Sequence, residues 1–276
     1  MTAPRSRSLL RDALEPPLTY VPPEPEPRPA PPWLPTGTVE HDVLGLLKTG
    51  KEAEVFVVER RSLDDGRTCL LAHKRYRPAT VGKGELEAGG FSRARGFVND
   101  SMYQQGRRYR RSRDQRAVDT MTARGKELVA ERWIGQELAT MQTLWAAGAD
   151  VPYPVQVLDD GVLMELIGNA EQAAPRLVSA RLTPNELAIA LAQLLDNLRI
   201  FARASIVHAD LSPFNVLWWN GRISIIDLPQ ATDLTLNLHG FDLLHRDVLR
   251  MCDWFIRKGV RCNADEIYAE LLAELG

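Results

Sequence analysis

The sequence predicts an α+β fold in two lobes: a β-rich N-terminal lobe holding one helix, then a mainly helical, shortened C-terminal lobe. Three observations carry this prediction. Short apolar runs separated by Asp-Gly turns crowd residues 43–76 and 155–167. Apolar stripes at three- and four-residue spacing mark long helices at 126–147 and from 184 onward. An Asn220-Gly221 hairpin signal stands by itself in the helical half.

A chain of 276 residues is long enough for one compact domain or two lobes around a substantial core. Its formal net charge of -2 argues against a nucleic-acid coat or strong steering of an acidic partner. Cys69, Cys252 and Cys262 are odd in number and widely spaced, which predicts free thiols and neither a disulfide framework nor a zinc site. No apolar run reaches the roughly 18 residues of a membrane span. The opening MTAPRSRSLLRDALEPP has no apolar core of a secretory signal, so the expectation is a cytoplasmic protein with no membrane partner.

Residues 1–37 form a proline-rich tail whose composition predicts a disordered spacer, with Trp33 placed to pin its end to the domain. Residues 38–167 are the N-terminal lobe. Within it, Ala53–Glu59 reads as a strand, Asp64-Asp65-Gly66 as a turn and Cys69–Tyr76 as the returning strand. An Arg-rich insertion at about 82–116 follows, rich in Gly and weak in periodicity, which predicts a mobile segment. A solvated loop or helix face is its preferred reading, and a weak RNA or acidic-partner contact is the other, because a charge run by itself is a weak signal. In the helix at 126–147, Ile134, Leu138, Met141 and Trp145 share one stripe. Val155–Leu158 and Val162–Ile167 form a second hairpin. Residues 168–276 make the C-terminal lobe. Its first long helix opens at Thr183-Pro184-Asn185-Glu186, a capping box with proline in the first turn. The stretch from Phe241 to Leu275 reads as helical.

The chemistry concentrates in Val207-His208-Ala209-Asp210-Leu211-Ser212-Pro213-Phe214-Asn215, followed by the hairpin and Ile225-Ile226-Asp227. Phosphoryl transfer needs positioning and charge neutralisation more than covalent help. An Asp five residues before an Asn can orient a hydroxyl while the amide oxygen faces a metal. Asp227 beyond the hairpin can close on the same ion, and magnesium accepts such a sparse oxygen set when phosphates and waters complete it. The order His-x-Asp-x-x-x-x-Asn, hairpin, Asp matches protein-kinase catalytic and metal loops. Upstream, Lys74 follows an apolar stretch on a strand, and Glu137 lies on the helix stripe facing the interior. A buried carboxylate needs a counter-charge, and Lys74 is the expected partner. Gly45 to Lys51 has Walker-like spacing, but Glu52 replaces the required hydroxyl and a strand follows, so the Walker reading is rejected. A strand–loop–strand cover over phosphates fits instead, with Gly50 permitting close backbone approach.

Taken together, these segments resemble the RIO family of atypical serine/threonine protein kinases. Thr49-Gly50-Lys51-Glu52-Ala53-Glu54-Val55 is similar to that family's nucleotide loop. His208 to Asn215 is similar to its catalytic loop, and Ile225-Ile226-Asp227-Leu228-Pro229-Gln230 to its metal loop. The Arg- and Ala-rich composition suits a bacterial-type member. The resemblance implies a protein-kinase-like fold, with ATP and Mg as cofactors. It makes Asp210 the catalytic Asp, Asn215 and Asp227 the magnesium ligands, and Asp227 an acceptor able to form an aspartyl-phosphate. ATP contacts fall to Thr49, Gly50, Lys51, Glu52, Ala53, Lys74 and Glu137, with backbone groups of Glu165 and Ile167 meeting adenine. The implied activity is a protein kinase with autophosphorylation or ATPase turnover, an unidentified phosphoacceptor that is a protein, and a weak ribosome association. Two alternatives remain: a small-molecule phosphotransferase of the aminoglycoside- or choline-kinase type, and a nucleotide-binding scaffold for protein or RNA. The Gly50-Lys51-Glu52-Ala53 loop and the 49 residues after Asp227 (276 minus 227) weigh against the first.

Overall fold

β-branched and aromatic residues between turn signals build residues 39–76 and 154–165 into a single antiparallel sheet. The computed structural model describes residues 28–50, 53–76, 116, 122–169 and 171–275, with backbone alone over 123–133. Strands β1 (Val39–Thr49), β2 (Ala53–Ser62), β3 (Thr68–Tyr76), β4 (Pro154–Leu158) and β5 (Gly161–Glu165) lie in the order β1-β2-β3-β5-β4. The register places Val55 opposite Lys74, and Lys74 opposite Val162. Because side chains alternate across a strand, Ala72, Lys74 and Tyr76 share one face of β3 while Leu71 and His73 share the other. Leu71 and Leu163 pack with Val58 and Leu34 in a small cluster on that second face.

The expected stripe appears on helix α1 (Ala123–Ala146), which packs on β4 and β5. Ile134, Met141 and Leu144 are buried, with Leu138 and Trp145 partly so. Glu137 points the same way and is 1% exposed, so the stripe carries one carboxylate into the interior.

Helix α2 (Pro184–Arg203) begins with the predicted capping box: the Thr183 amide donates to Glu186 Oε2 at 2.8 Å, and the Glu186 amide donates to Thr183 Oγ1 at 3.3 Å. Strands β6 (Ile206–Val207) and β9 (Thr232–Asp233) pair across the loops that follow α2, and β7 (Val216–Trp219) with β8 (Arg222–Ile225) forms the small hairpin. Its turn residues Asn220 and Gly221 both adopt positive φ, 48° and 78°, as the tight right-twisted hairpin requires. The stretch expected to be helical after Phe241 is two helices, α3 (Gly240–Arg257) and α4 (Ala264–Ala273). Gly259 at φ 87° ends the first, and Asn263 caps the second through the amides of Asp265 and Glu266. Most buried apolar side chains of α1, α2, α3, α4 and β7–β8 belong to one core cluster.

The described part of the proline-rich stretch, residues 28–37, is packed against the domain, where the sequence predicted a spacer. Leu34 is buried, and Arg60 donates to the Pro35 carbonyl at 2.9 Å. Trp33 meets Tyr153 edge-on, and Arg28 stacks on Trp145 while donating to the carbonyls of Gly148 and Ala149. Trp33 thus pins the end of the stretch as expected, and backbone carbonyls still accept hydrogen bonds where prolines remove donors. The Arg-rich insertion at about 82–116 lies outside the described residues save for Arg116, which is exposed. The three cysteines are free, as expected, and among the described residues no helix is long and apolar enough to cross a membrane.

Candidate active site

A cavity of about 450 Å³ opens between the five-stranded sheet and the β7–β8 hairpin. Gly50, Ala53, Lys74, Glu137, Glu165, Ile167 and Asp227 all line it. Its walls are mainly apolar, with Val55, Ala72, Met141, Met164, Leu217 and Ile225 among them. A largely apolar cavity with convergent charges at one end suits a nucleotide in size and chemistry.

The charged end is built from three elements. Lys74 on β3 donates to Glu137 Oε1 on α1 at 2.7 Å and to Asp227 Oδ1, just after β8, at 2.6 Å. Tyr76, two residues along the same face of β3, donates to the other Glu137 oxygen. Burial works against the Lys74 ammonium, but Glu137, Tyr76 and Asp227 outweigh it and hold Lys74 well above its ordinary range. Burial likewise pushes the Tyr76 phenol up. The Lys74 charge holds the Asp227 carboxyl below its ordinary range, against the opposing effect of burial.

A second group sits on the loop between β6 and β7. Ala209 at φ 66° and Asp227 at φ 70° are non-glycine residues in the left-handed region, a strained conformation that the surrounding contacts must hold. His208 Nε2 lies 3.0 Å from the Ile226 carbonyl, and the Ile226 amide donates to the Asn215 carbonyl at 2.9 Å. These two bonds tie the Asp210–Asn215 loop to the segment that carries Asp227. The Asn215 side-chain amide donates to the Asp210 carbonyl at 2.9 Å, which leaves Asn215 Oδ1 as the acceptor end. Asp227 has a side chain 42% exposed. An ionised carboxylate and an amide oxygen are the hard donors that magnesium takes, and two of them suffice where phosphates and waters complete the shell. Among the described residues no group of three or more His, Cys, Asp or Glu could hold a metal ion.

The family model for the RIO domain matches residues 97–267, more than half of the chain. This chain belongs to the RIO family. It is similar to serine/threonine-protein kinase RIO3 of Bos taurus, 26% identical over 220 residues that cover 79% of this chain and 39% of the relative. The RIO-type serine/threonine-protein kinase Rio1 of Haloferax volcanii is 28% identical over 232 residues, 84% of this chain and 69% of the relative. Serine/threonine-protein kinase rio1 of Schizosaccharomyces pombe is 26% identical over 229 residues, 82% and 40%. The chain thus spans only about two fifths of the longer relatives.

Within this RIO-family chain, the residues expected from the sequence do not all fall at one place. Thr49 pairs with Glu54 at the strand end and lies outside the cavity lining. The register shift between Leu46 and Lys48 changes which residues face the cavity, and Leu47 and Lys48 line it instead. Lys51 and Glu52 lie outside the described residues. At the hinge, the Glu165 amide is already given to the Tyr153 carbonyl at 2.9 Å, and the Ile167 carbonyl accepts from Ala174 at 2.8 Å. That arrangement occupies the Glu165 amide and the Ile167 carbonyl. Sequence reasoning missed Tyr76, Arg176, Asp247 and Arg250. Tyr76 was legible as Lys74 plus two on a strand. The other three owe their positions to chain crossings with no local signature: Arg176 lines the cavity, and Asp247 and Arg250 face the Asp210 loop from α3.

Proposed function

We propose that this chain is an ATP- and magnesium-dependent RIO-type serine/threonine protein kinase. The observation that carries the reading is the Lys74–Glu137–Asp227 chain of ion pairs at the closed end of an apolar cavity, with Asp210 and Asn215 tied to its rim. Lys74, held by buried Glu137, would meet ATP phosphates, and backbone groups of Glu165 and Ile167 would meet adenine. The Gly50 amide donates to the Ala53 carbonyl at 2.8 Å, and both residues line the cavity. Asn215 and Asp227 would hold magnesium, which when bound supplies positive charge between the phosphates. Asp210 orients the acceptor hydroxyl and takes its proton. A protein acceptor, cytoplasmic residence, the division into lobes at about 167 and a weak ribosome association through the Arg-rich insertion belong to the same reading. So does phosphorylation of Asp227: its carboxylate oxygen would bond the γ-phosphorus as the bond to the ADP oxygen breaks.

The test is incubation of the 276-residue protein with magnesium and γ-labelled ATP, comparing wild type with Asp210→Ala and Asp227→Ala. Label that is lost in hydroxylamine and absent from Asp227→Ala supports the aspartyl-phosphate. Acid-stable label on Ser or Thr that requires Asp210 supports the kinase reading. Neither label nor ADP from wild type would overturn it.

A further inference from the structure

Helix α3 presents three side chains, Arg246, Asp247 and Arg250, to the loop that carries Asp210. Positions one turn apart on a helix share a face, so one rigid element supplies all the contacts. Arg246 donates to the carbonyl of strained Ala209, and Arg250 Nη1 donates to Asp210 Oδ1 at 2.9 Å. Asp247 lies between them, 1% exposed, with Oδ1 3.7 Å from Arg246.

We infer that Arg250 is the positioning residue for Asp210, an inference that rests on the phosphotransferase reading above. The remaining holds on the Asp210 carboxylate are weak. Asn215 Nδ2 approaches Oδ2 at 3.5 Å, a long contact, and the side chain is 46% exposed. Without the guanidinium, the carboxylate has no short hydrogen bond among the described residues and is free to turn towards water. The ion pair itself is exposed on both sides, 43% and 46%, and pairs of that kind contribute little to stability. Its consequence is geometric. Arg250 fixes Oδ1, the Asn215 side-chain amide is turned to the Asp210 carbonyl, and the half-exposed Asp210 carboxylate stays open to an arriving hydroxyl. Misplacing an acceptor-orienting group by about 1 Å can cost on the order of 100-fold in rate.

The experiment measures magnesium-ATP turnover by ADP release in wild type, Asp210→Ala, Arg250→Met, Arg250→Lys and the Asp210→Ala/Arg250→Met double variant, beside their melting temperatures. Expected is a roughly 10- to 100-fold fall in kcat for Arg250→Met, with KM for ATP and Tm unchanged. Arg250→Lys restores part of the rate, since a single oxygen is contacted, and the double variant is no slower than Asp210→Ala. Wild-type kcat in Arg250→Met overturns the inference, as does a fall matched by a lower Tm or a raised KM, which marks a merely structural role. Turnover that does not depend on Asp210 overturns the role given to Asp210 and with it this inference, whereas no turnover in wild type overturns the phosphotransferase reading itself.

Discussion

Replacing Lys74 with Met tests the centre of the site through its energetics. The ammonium sits 2.7 Å from Glu137 and 2.6 Å from Asp227, and its own side chain is 12% exposed. The two carboxylates are not equivalent. Glu137 is 1% exposed and Asp227 42%, so water can compensate Asp227 but not Glu137. Lys74→Met therefore leaves one buried charge whose only remaining partner from this cluster is the Tyr76 hydroxyl. Stranding such a charge costs about 3–5 kcal/mol, whereas loss of the solvated Asp227 pair adds less than about 1 kcal/mol. Urea or guanidinium unfolding at pH 7 reads the effect as a lower midpoint with an unchanged slope. The companion is Lys74→Met/Glu137→Gln, which removes both charges while keeping an oxygen for Tyr76. It should recover at least about 2 kcal/mol of the loss, because replacing both partners avoids the uncompensated group. Both variants lose ATP turnover, so stability and activity separate. A single variant less than about 1 kcal/mol below wild type, or a double variant as unstable as Lys74→Met, would refute the argument that Lys74 neutralises a desolvated Glu137.

Two further outcomes follow from single atoms. Burial pushes the Asp247 carboxyl up to about 6, against the fields of His208, Arg246 and Arg250 and the nearby Leu211 amide, and neither oxygen has a well-formed hydrogen bond. Between its ordinary 3.8 and about 6 the folded protein keeps a proton that the unfolded chain has released, so stability falls as pH rises through that window. The shift of roughly two units corresponds to about 3 kcal/mol, and Asp247→Asn should lose that component of the pH–stability curve while other carboxylates continue to titrate. Parallel curves for the two proteins across pH 4 to 7 would contradict it. At Gly161, an added Cβ would lie 2.0 Å from the Lys74 carbonyl and 3.0 Å from Arg75 Cα, so Gly161→Ala must move the β3 backbone. The expected cost is about 1–3 kcal/mol, seen as a lower unfolding midpoint together with a raised KM for ATP, because Lys74 moves with its strand.

Much of this protein was legible in its sequence because the relevant physics is local. The Thr183–Glu186 capping box, the Asn220-Gly221 turn and the stripe from Ile134 to Trp145 each depend on spacings of a few residues. Pairing Lys74 with Glu137 was also legible, for a different reason. A carboxylate on an apolar stripe must find a cation, and few lysines were placed to meet it. The Trp33 contact was legible, but the hold of Arg28 on the domain, the break at Gly259 and the exclusion of Thr49 from the cavity were not. Each depends on what another part of the chain presents: carbonyls for Arg28, a turn into α4, and a bulged register between β1 and β2. The order of residues alone determined which groups carry charge and which strand or helix face they occupy. Only the tertiary structure decided that Lys74 also reaches Asp227, 153 positions away, and that Arg250 meets Asp210. Those contacts arise because a close-packed core brings β3, β8, the Asp210 loop and α3 together, and no local pattern encodes where separate elements cross.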